Sequence, residues 1–339
     1  MSNLIINRQS GPVLGEPHNM NQSVQATAPG KIILFGEHAV VYGRPAIAVP
    51  VQQIHATATV DPATPGSGLT LVATDLKQVT ALEDAATDDP LAAMARLTLV
   101  HLGASPPDAT LTIHSTIPIA SGLGSGTAVS TAVVRALAGY AGRSLAPATV
   151  SRLVYEVEKL HHGTPSGIDN TVVAFGTPVY FVHGGKIDTF EVGSLLHLVI
   201  GDTGIPSPTR VAVGDVRRGW ERERDRYERI FDQIGLLVRQ AKSLIESAAD
   251  PVGLGELMNR NHEALRALKV SGPHLDRLVH VARAAGALGA KLSGAGRGGN
   301  MIALVEPEDK ARVARALRRQ GAARVIETVV SPSTAAHSL

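Results

Sequence analysis

A glycine-rich turn that runs straight into an apolar helix constrains this chain more than any other segment. Pro118-Ile-Ala-Ser-Gly-Leu-Gly-Ser-Gly126 is followed by Ala128, Val129, Ala132, Val133, Ala136, Leu137 and Tyr140, the three-and-four spacing of a helix with one buried face. Glycines let a backbone approach a ligand closely. The first turn of such a helix offers N–H groups without intrahelical partners at the positive end of its dipole. That combination suits a phosphate, and a simple packing turn is the alternative reading of the same residues. The Walker A spacing Gly-x-x-x-x-Gly-Lys-Ser/Thr occurs nowhere in the chain.

At 339 residues the chain has room for about two domains. Aromatic residues make up only 3%, so the cores must rest on Ala, Val, Leu and Ile. The absence of cysteine excludes disulfides, thiol catalysis, cysteine-ligated zinc and iron–sulfur clusters. With 32 cationic against 30 anionic residues there is no reason to expect a nucleic-acid groove or a membrane-surface patch. No stretch approaches the roughly 18 apolar residues of a membrane span. Residues 1–22 lack a basic segment followed by an apolar one and read as a mobile tail, as do residues 331–339. These features lead us to expect a cytoplasmic enzyme or binding protein.

The first half alternates extended runs with helices. Lys31–Phe35, Pro45–Val51, Ile54–Val60 and Thr110–Ser115 read as strands, and Leu91–Leu102 as a helix. A further helix from Pro147 turns Leu153, Val154, Val157 and Leu160 inward and stops at Gly163. A strand at Leu195–Ile200 precedes one long helix over Asp215–Ser247, whose charges Arg217–Glu221, Arg224–Glu228 and Asp225–Arg229 fall at i,i+4 and whose Trp220, Tyr227, Phe231 and Ile234 share the other face. A solvated amphipathic helix explains this charge run better than nucleic-acid binding does. Helices from about Leu254 and Pro273 follow. The end reads strand (Ala290–Ser293), glycine loop (Gly294–Gly299), strand (Met301–Val305), helix (Glu308–Gln320) and strand (Arg324–Val330), which places a domain boundary near residue 195.

Gly294-Ala-Gly-Arg-Gly-Gly299 matches the dinucleotide fingerprint in letters, but a strand follows it where the fingerprint requires a helix, so it reads as a tight hairpin. Lys31, Glu37 and His38 are polar residues in the otherwise apolar segment 28–43. His161–Asn170 is turn-rich and carries one acid, Asp169, which an Asx turn would also explain. None of the thirteen histidines stands in a metal-ligand spacing.

Three segments, in this order, resemble the GHMP small-molecule kinase family: Ala28-Pro-Gly-Lys-Ile-Ile-Leu-Phe-Gly-Glu-His-Ala-Val-Val-Tyr-Gly43, Pro118-Ile-Ala-Ser-Gly-Leu-Gly-Ser-Gly-Thr-Ala128 and Lys291-Leu-Ser-Gly-Ala-Gly-Arg-Gly-Gly299. Two more, His162-Gly-Thr-Pro-Ser-Gly-Ile-Asp-Asn170 and Asp202-Thr-Gly-Ile-Pro-Ser-Pro-Thr-Arg210, resemble the branch that acts on mevalonate rather than on galactose or homoserine. The likeness covers about residues 24–330. It implies an α+β class and a two-domain GHMP kinase fold. An N-terminal domain like domain 2 of ribosomal protein S5 would span residues 23–195 and a ferredoxin-like C-terminal domain residues 196–330, with the active site between them.

The resemblance also implies a reaction, transfer of the ATP γ-phosphoryl group to the C5 hydroxyl of (R)-mevalonate with Mg2+ as the metal, and a homodimer. It makes Asp169 and Lys31 the catalytic pair. It assigns Glu37, His38 and Thr209 to the mevalonate pocket, and Ser121, Gly122, Leu123, Gly124, Ser125, Gly126 and Thr127 to ATP. Glu158, eleven residues before Asp169, becomes a metal ligand. Many family members carry two serines where this chain has Ser125-Gly126, and the second of them is a metal ligand. The resemblance therefore leaves Ser125, Thr127 or a water to replace it. A phosphorylated acceptor would need further cations near Glu37 and His38, where the sequence offers only Arg44. A silent relative that merely binds nucleotide would have no chemical need for both Lys31 and Asp169.

Overall fold

A computed structural model describes residues 22–118, 121–162, 166–185, 187–207, 209–248 and 250–332. Most of both expected tails, Ile119 and Ala120 of the glycine turn, and Gly163–Pro165 lie outside the described residues. The first sheet is built on β1 (Val24–Phe35) and a 17-residue β2 (Ala46–Pro62), which pair antiparallel. In β2 the buried Ile54, Ala56, Ala58 and Val60 alternate with half-buried His55, Thr57 and Thr59, the two-residue period of a strand with one covered face. Pro45–Val51 and Ile54–Val60, expected as separate strands, are thus one strand. The polar Gln52-Gln53 between them is exposed and sits at a bulge, where the register with β1 shifts from Gly30 opposite Val51 to Pro29 opposite His55 while the strand continues.

The short β3 (Leu69–Ala73) and β4 (Gln78–Ala81) extend this sheet beyond β5 (Ala109–Ser115), which lies on one side of β2. Helices α1 (Pro90–Leu102), α2 (Ser125–Tyr140), α3 (Pro147–His162) and α4 (Ile168–Phe175) cluster around the buried α2, and α2 and α4 lie on β1 and β2. The apolar stripe of α2 is buried as its spacing requires. In α3, Leu153, Val154 and Val157 face inward, but Leu160 is 70% exposed and belongs to the outer face. The edge strands β6 (Val179–Phe181) and β7 (Asp188–Thr189) complete the sheet.

The chain passes to a second sheet between Thr189 and Leu196. This four-stranded antiparallel sheet has the order β11-β8-β10-β9, from β8 (Leu196–Asp202), β9 (Gly289–Ser293), β10 (Asn300–Val305) and β11 (Arg324–Val330). Its helices are α5 (Thr209–Arg222), α6 (Arg224–Ser247), α7 (Pro251–Ala267), α8 (Pro273–Ala284) and α9 (Lys310–Arg319). The two sheets with their helices form the two-domain α+β architecture that the resemblance implies.

The expected single helix over Asp215–Ser247 is instead α5 and α6, broken at Glu223, whose φ of −128° and ψ of 52° leave the helical region. Tyr227 lies against the break. Its ring folds back over Gly219, where a β-carbon would stand 2.1 Å from the Tyr227 hydroxyl. Of the expected i,i+4 pairs Arg217–Glu221 forms, at 3.1 Å, whereas Glu228 turns to Arg44 of the first domain and to the Trp220 indole N–H. Beside that ion pair Tyr42 stacks on Phe231 at 4.2 Å and tilts against Trp220 at 5.4 Å, an aromatic seam between the domains.

In the second domain α7 and β9 touch backbone to backbone. A β-carbon on Gly255 would lie 2.5 Å from the Leu288 carbonyl carbon, and one on Gly289 would lie 2.0 Å from the Gly255 oxygen. A side chain there forces the helix off the sheet. Gly255→Ala is therefore expected to lower the free energy of unfolding by about 2–3 kcal/mol. Gly126→Ala, where an added methyl meets nothing within 4 Å and φ is not positive, should change it by less than about 1 kcal/mol. Urea titration of both variants checks the contrast.

Candidate active site

Lys31 sits in β1, where the strand passes the glycine turn. Its backbone N–H donates to the Leu123 carbonyl at 2.9 Å, and a β-carbon on Gly124 (φ +80°) would fall 2.7 Å from Lys31 Cγ. The turn therefore needs glycine at 124 twice over, for its left-handed backbone and to let the lysine stem through. The buried lysine ends in an ion pair, Nζ to Asp169 Oδ2 at 2.9 Å.

Asp169 lies in the first turn of α4, a helix the turn-rich sequence around it had concealed. Its neighbour Asn170 is buried and donates to the Ser151 carbonyl at 3.1 Å and hydroxyl at 2.9 Å. That lock ties α4 to α3 and leaves the Asp169 side chain about a third exposed.

Glu158 reaches the same place from α3. The Thr127 hydroxyl, from the first turn of α2, donates to Glu158 Oε1 at 2.5 Å. Burial, and then the negative charge of Asp169, push the Glu158 carboxyl up to about 7, against the opposing influence of Thr127 and Lys31. Glu158 is thus half-buried rather than a solvated surface acid, and of the two hydroxyls in question Thr127 is the one that touches it. Ser125 stands half-buried at the start of α2, and Gly126 is exposed with open space beyond it.

No group of three or more His, Asp or Glu side chains among the described residues could hold a metal alone. Two carboxylates side by side, one of them with its proton affinity raised by burial and by the other's charge, and a hydroxyl beside them fit a hard divalent cation that arrives with phosphate and water ligands of its own.

The third glycine segment is a hairpin between β9 and β10, as its sequence polarity requires. It rests on residues 203–207. A β-carbon on Gly298 would lie 2.5 Å from the Ile205 oxygen, Ser207 Oγ donates to the Gly296 carbonyl at 2.7 Å, and Gly299 N–H donates to Ile205 at 2.9 Å. Asn300 then donates to the Ser121 carbonyl, joining the hairpin to the first glycine turn, where Ser121 Oγ is itself bound to the Pro118 carbonyl at 2.8 Å.

His38 is nearly buried, with φ at +61°, and its Nε2 lies 3.0 Å from the Ala295 carbonyl of the hairpin. A carbonyl only accepts, so Nε2 carries the proton. Burial lowers the His38 pKa to about 4, which keeps the ring neutral. Glu37, expected in the substrate pocket, is 1% exposed, and its carboxylate is bound by Lys291 Nζ and by Asn261 Nδ2. Thr209 opens α5 on the surface, two residues beyond Ser207. The structure thus joins Lys31, Thr127, Glu158 and Asp169 at one point and seats His38 on the glycine hairpin. The partners Lys291, Asn261 and Asn300 carry no spacing signal, since each acts across more than 170 residues.

The raised Glu158 pKa has a stability consequence. The folded state holds this proton more tightly than the unfolded chain, so the stability linked to it is complete below the ordinary value of 4.5 and is lost as pH rises through about 7. Glu158→Gln, which has no proton to lose, is expected to be about 1–3 kcal/mol more stable than the parent at pH 8 and equal to it near pH 4. Urea titrations at both pH values, without divalent cations, check it.

Two family profiles match the chain: GHMP kinases N terminal domain over residues 90–177 and GHMP kinases C terminal over residues 241–323. The mevalonate kinase of Thermococcus sibiricus is 36% identical over 323 residues, covering 90% of this chain and 96% of that protein. The mevalonate kinase of Pyrococcus abyssi is 38% identical over 331 residues, covering 91% and 96%. The crystal structure of L. major mevalonate kinase in complex with R-mevalonate superposes with a TM-score of 0.81 at 29% identity, covering 95% of this chain and all of that one. With both terminal domains of the family present and these relatives matched along nearly the whole length, the chain belongs to the GHMP kinase family, in its mevalonate kinase branch.

Proposed function

We propose that this protein transfers the γ-phosphoryl group of ATP to the C5 hydroxyl of (R)-mevalonate, giving ADP and 5-phosphomevalonate. The observation that carries the reading is the 2.9 Å Lys31–Asp169 pair held against the glycine turn that opens α2. Residues 121–127 cradle the nucleotide phosphates with their backbone N–H groups. The acceptor hydroxyl lies against Asp169, with His38 and Thr209 lining its pocket. An aspartate is too weak a base to deprotonate an alcohol outright, so it orients the hydroxyl and takes the proton only as the new O–P bond forms and the bond to ADP breaks. The Lys31 ammonium beside it favours the negative charge that builds on the transferring oxygens. Glu158 and Asp169, with Thr127 or Ser125 behind them, would hold Mg2+. Such an ion would supply positive charge to offset that of the phosphate oxygens.

The acceptor is unphosphorylated in this reading. Arg44, the one extra cation near the pocket in sequence, is committed to Glu228 at 2.5 Å and Asp232 at 2.9 Å and has no free edge for a second phosphate. Both substrates are small, water-soluble molecules, in keeping with a cytoplasmic enzyme. Among the described residues no helix is long and apolar enough to cross a membrane.

A coupled ADP-release assay with mevalonate as the sole acceptor tests the reaction, and its absence under conditions where ATP binds would refute it. Asp169→Asn is expected to lower kcat by about 10²–10⁴-fold while the protein keeps its fold and binds ATP. Thr127→Val, which removes the hydroxyl on Glu158, should raise the Mg2+ concentration for half-maximal rate about tenfold. Magnesium titrations at saturating substrates read that shift.

A further inference from the structure

On β9 and the glycine hairpin that follows it, three groups reach the first domain. Lys291 Nζ donates to Glu37, Ser293 Oγ donates to the Ile33 carbonyl at 2.8 Å, and the Ala295 carbonyl accepts from His38 at 3.0 Å. Lys291 and Ser293, two apart in β9, point to one side of the strand, and the Ala295 carbonyl follows in the hairpin, so a single edge of the second domain grips the tip of β1 and the turn that follows it. β1 also carries Lys31, two residues before Ile33 and on the same face.

Lys291 is the buried end of this grip. Its side chain is fully inaccessible, and it also donates to the Leu292 carbonyl at 2.6 Å. Glu37 is fixed on its other oxygen by Asn261 of α7, at 3.3 Å, and the adjacent His262 accepts the Leu292 N–H at 3.3 Å. Two ions buried together are an expensive way to stabilise a fold, since well-packed apolar side chains of the same volume commonly do as well or better. What such a pair supplies is geometry: one carboxylate, in one place, next to a histidine held at positive φ.

We infer that Lys291 is a positioning residue for the acceptor site, which through Glu37 holds His38 and the end of β1 in register with the glycine hairpin of the other domain. This inference rests on the proposed transfer to mevalonate. It adds a residue that touches neither substrate, and it gives Glu37 the task of transmitting a position rather than binding a ligand.

The test compares three proteins with the wild type: Lys291→Met, Glu37→Gln and the double variant Glu37→Gln/Lys291→Met. For each, KM for mevalonate, KM for ATP, kcat and thermal midpoint are measured. Lys291→Met strands a buried carboxylate and is expected to be destabilised, with KM for mevalonate raised about tenfold, the size expected when a coupled polar network is broken. The double variant leaves no lone charge. It should recover most of the thermal midpoint yet keep the raised KM for mevalonate, with KM for ATP within about twofold of wild type. If Lys291→Met fails to fold, the double variant alone carries the comparison. A KM for mevalonate that returns to wild type together with the thermal midpoint would make the pair purely structural and overturn the inference. Unchanged KM in every variant would overturn it as well. A wild-type protein that leaves mevalonate unphosphorylated would overturn the proposed reaction first, and this inference with it.

Discussion

An ammonium taken out of water must find a counter-charge, and the placement of the site follows from how Lys31 finds one. Its stem is buried under a turn that only glycine at 124 permits, and its nitrogen emerges beside Asp169, 138 residues further along the chain. Around that contact each element arrives with its own lock. The β1 backbone is bound to Leu123, α4 is tied to α3 through Asn170 and Ser151, and α2 is tied to α3 through Thr127 and Glu158. Removing the lysine would leave Asp169 facing Glu158 and push the Glu158 carboxyl further toward its protonated form, since Lys31 is one of the groups that lower its affinity for the proton.

The second domain contributes little charge to that point and much position. Its glycine hairpin has residues 294, 296, 297 and 299 at positive φ and lies within backbone contact of residues 203–207, so its shape is fixed by close approach rather than by side chains. Arg297 is the one residue of that set with a side chain, which pairs with Asp215 of α5. Anchored from behind, the hairpin offers one carbonyl to His38 and, through Asn300, one amide to the first glycine turn. Both contacts cross from domain to domain.

Much of this was legible in the sequence where a period was present. Leu91–Leu102, the α2 stripe, Thr110–Ser115 and the strands from Ala290 onward have enough apolar repeats for local pattern to decide, and they form within a residue or two of expectation. The misses are places where long-range contacts decide. Gln52-Gln53 looked like a break but is a bulge within one continuous strand, and the Asp215–Ser247 pattern hid a break at Glu223, beside which Tyr227 lies on Gly219. The strands β4, β6 and β7 are too short to show an alternation. At the site, the residue types of Lys31 and Asp169 stood out, but nothing local separates Glu37, with both oxygens occupied, from His38 on the hairpin. That difference depends on Lys291, an unremarked letter at the start of a glycine motif.

The aromatic seam has a consequence of its own. In a chain with one tryptophan, five tyrosines and five phenylalanines, the tryptophan, one tyrosine and one phenylalanine meet where the domains join, rimmed by Arg44 with Glu228 and Asp232. Dissolved ions weaken the rim, whereas stacked rings are indifferent to them. The cohesion between the two halves therefore combines an ionic fraction that changes with the medium and an apolar fraction that persists.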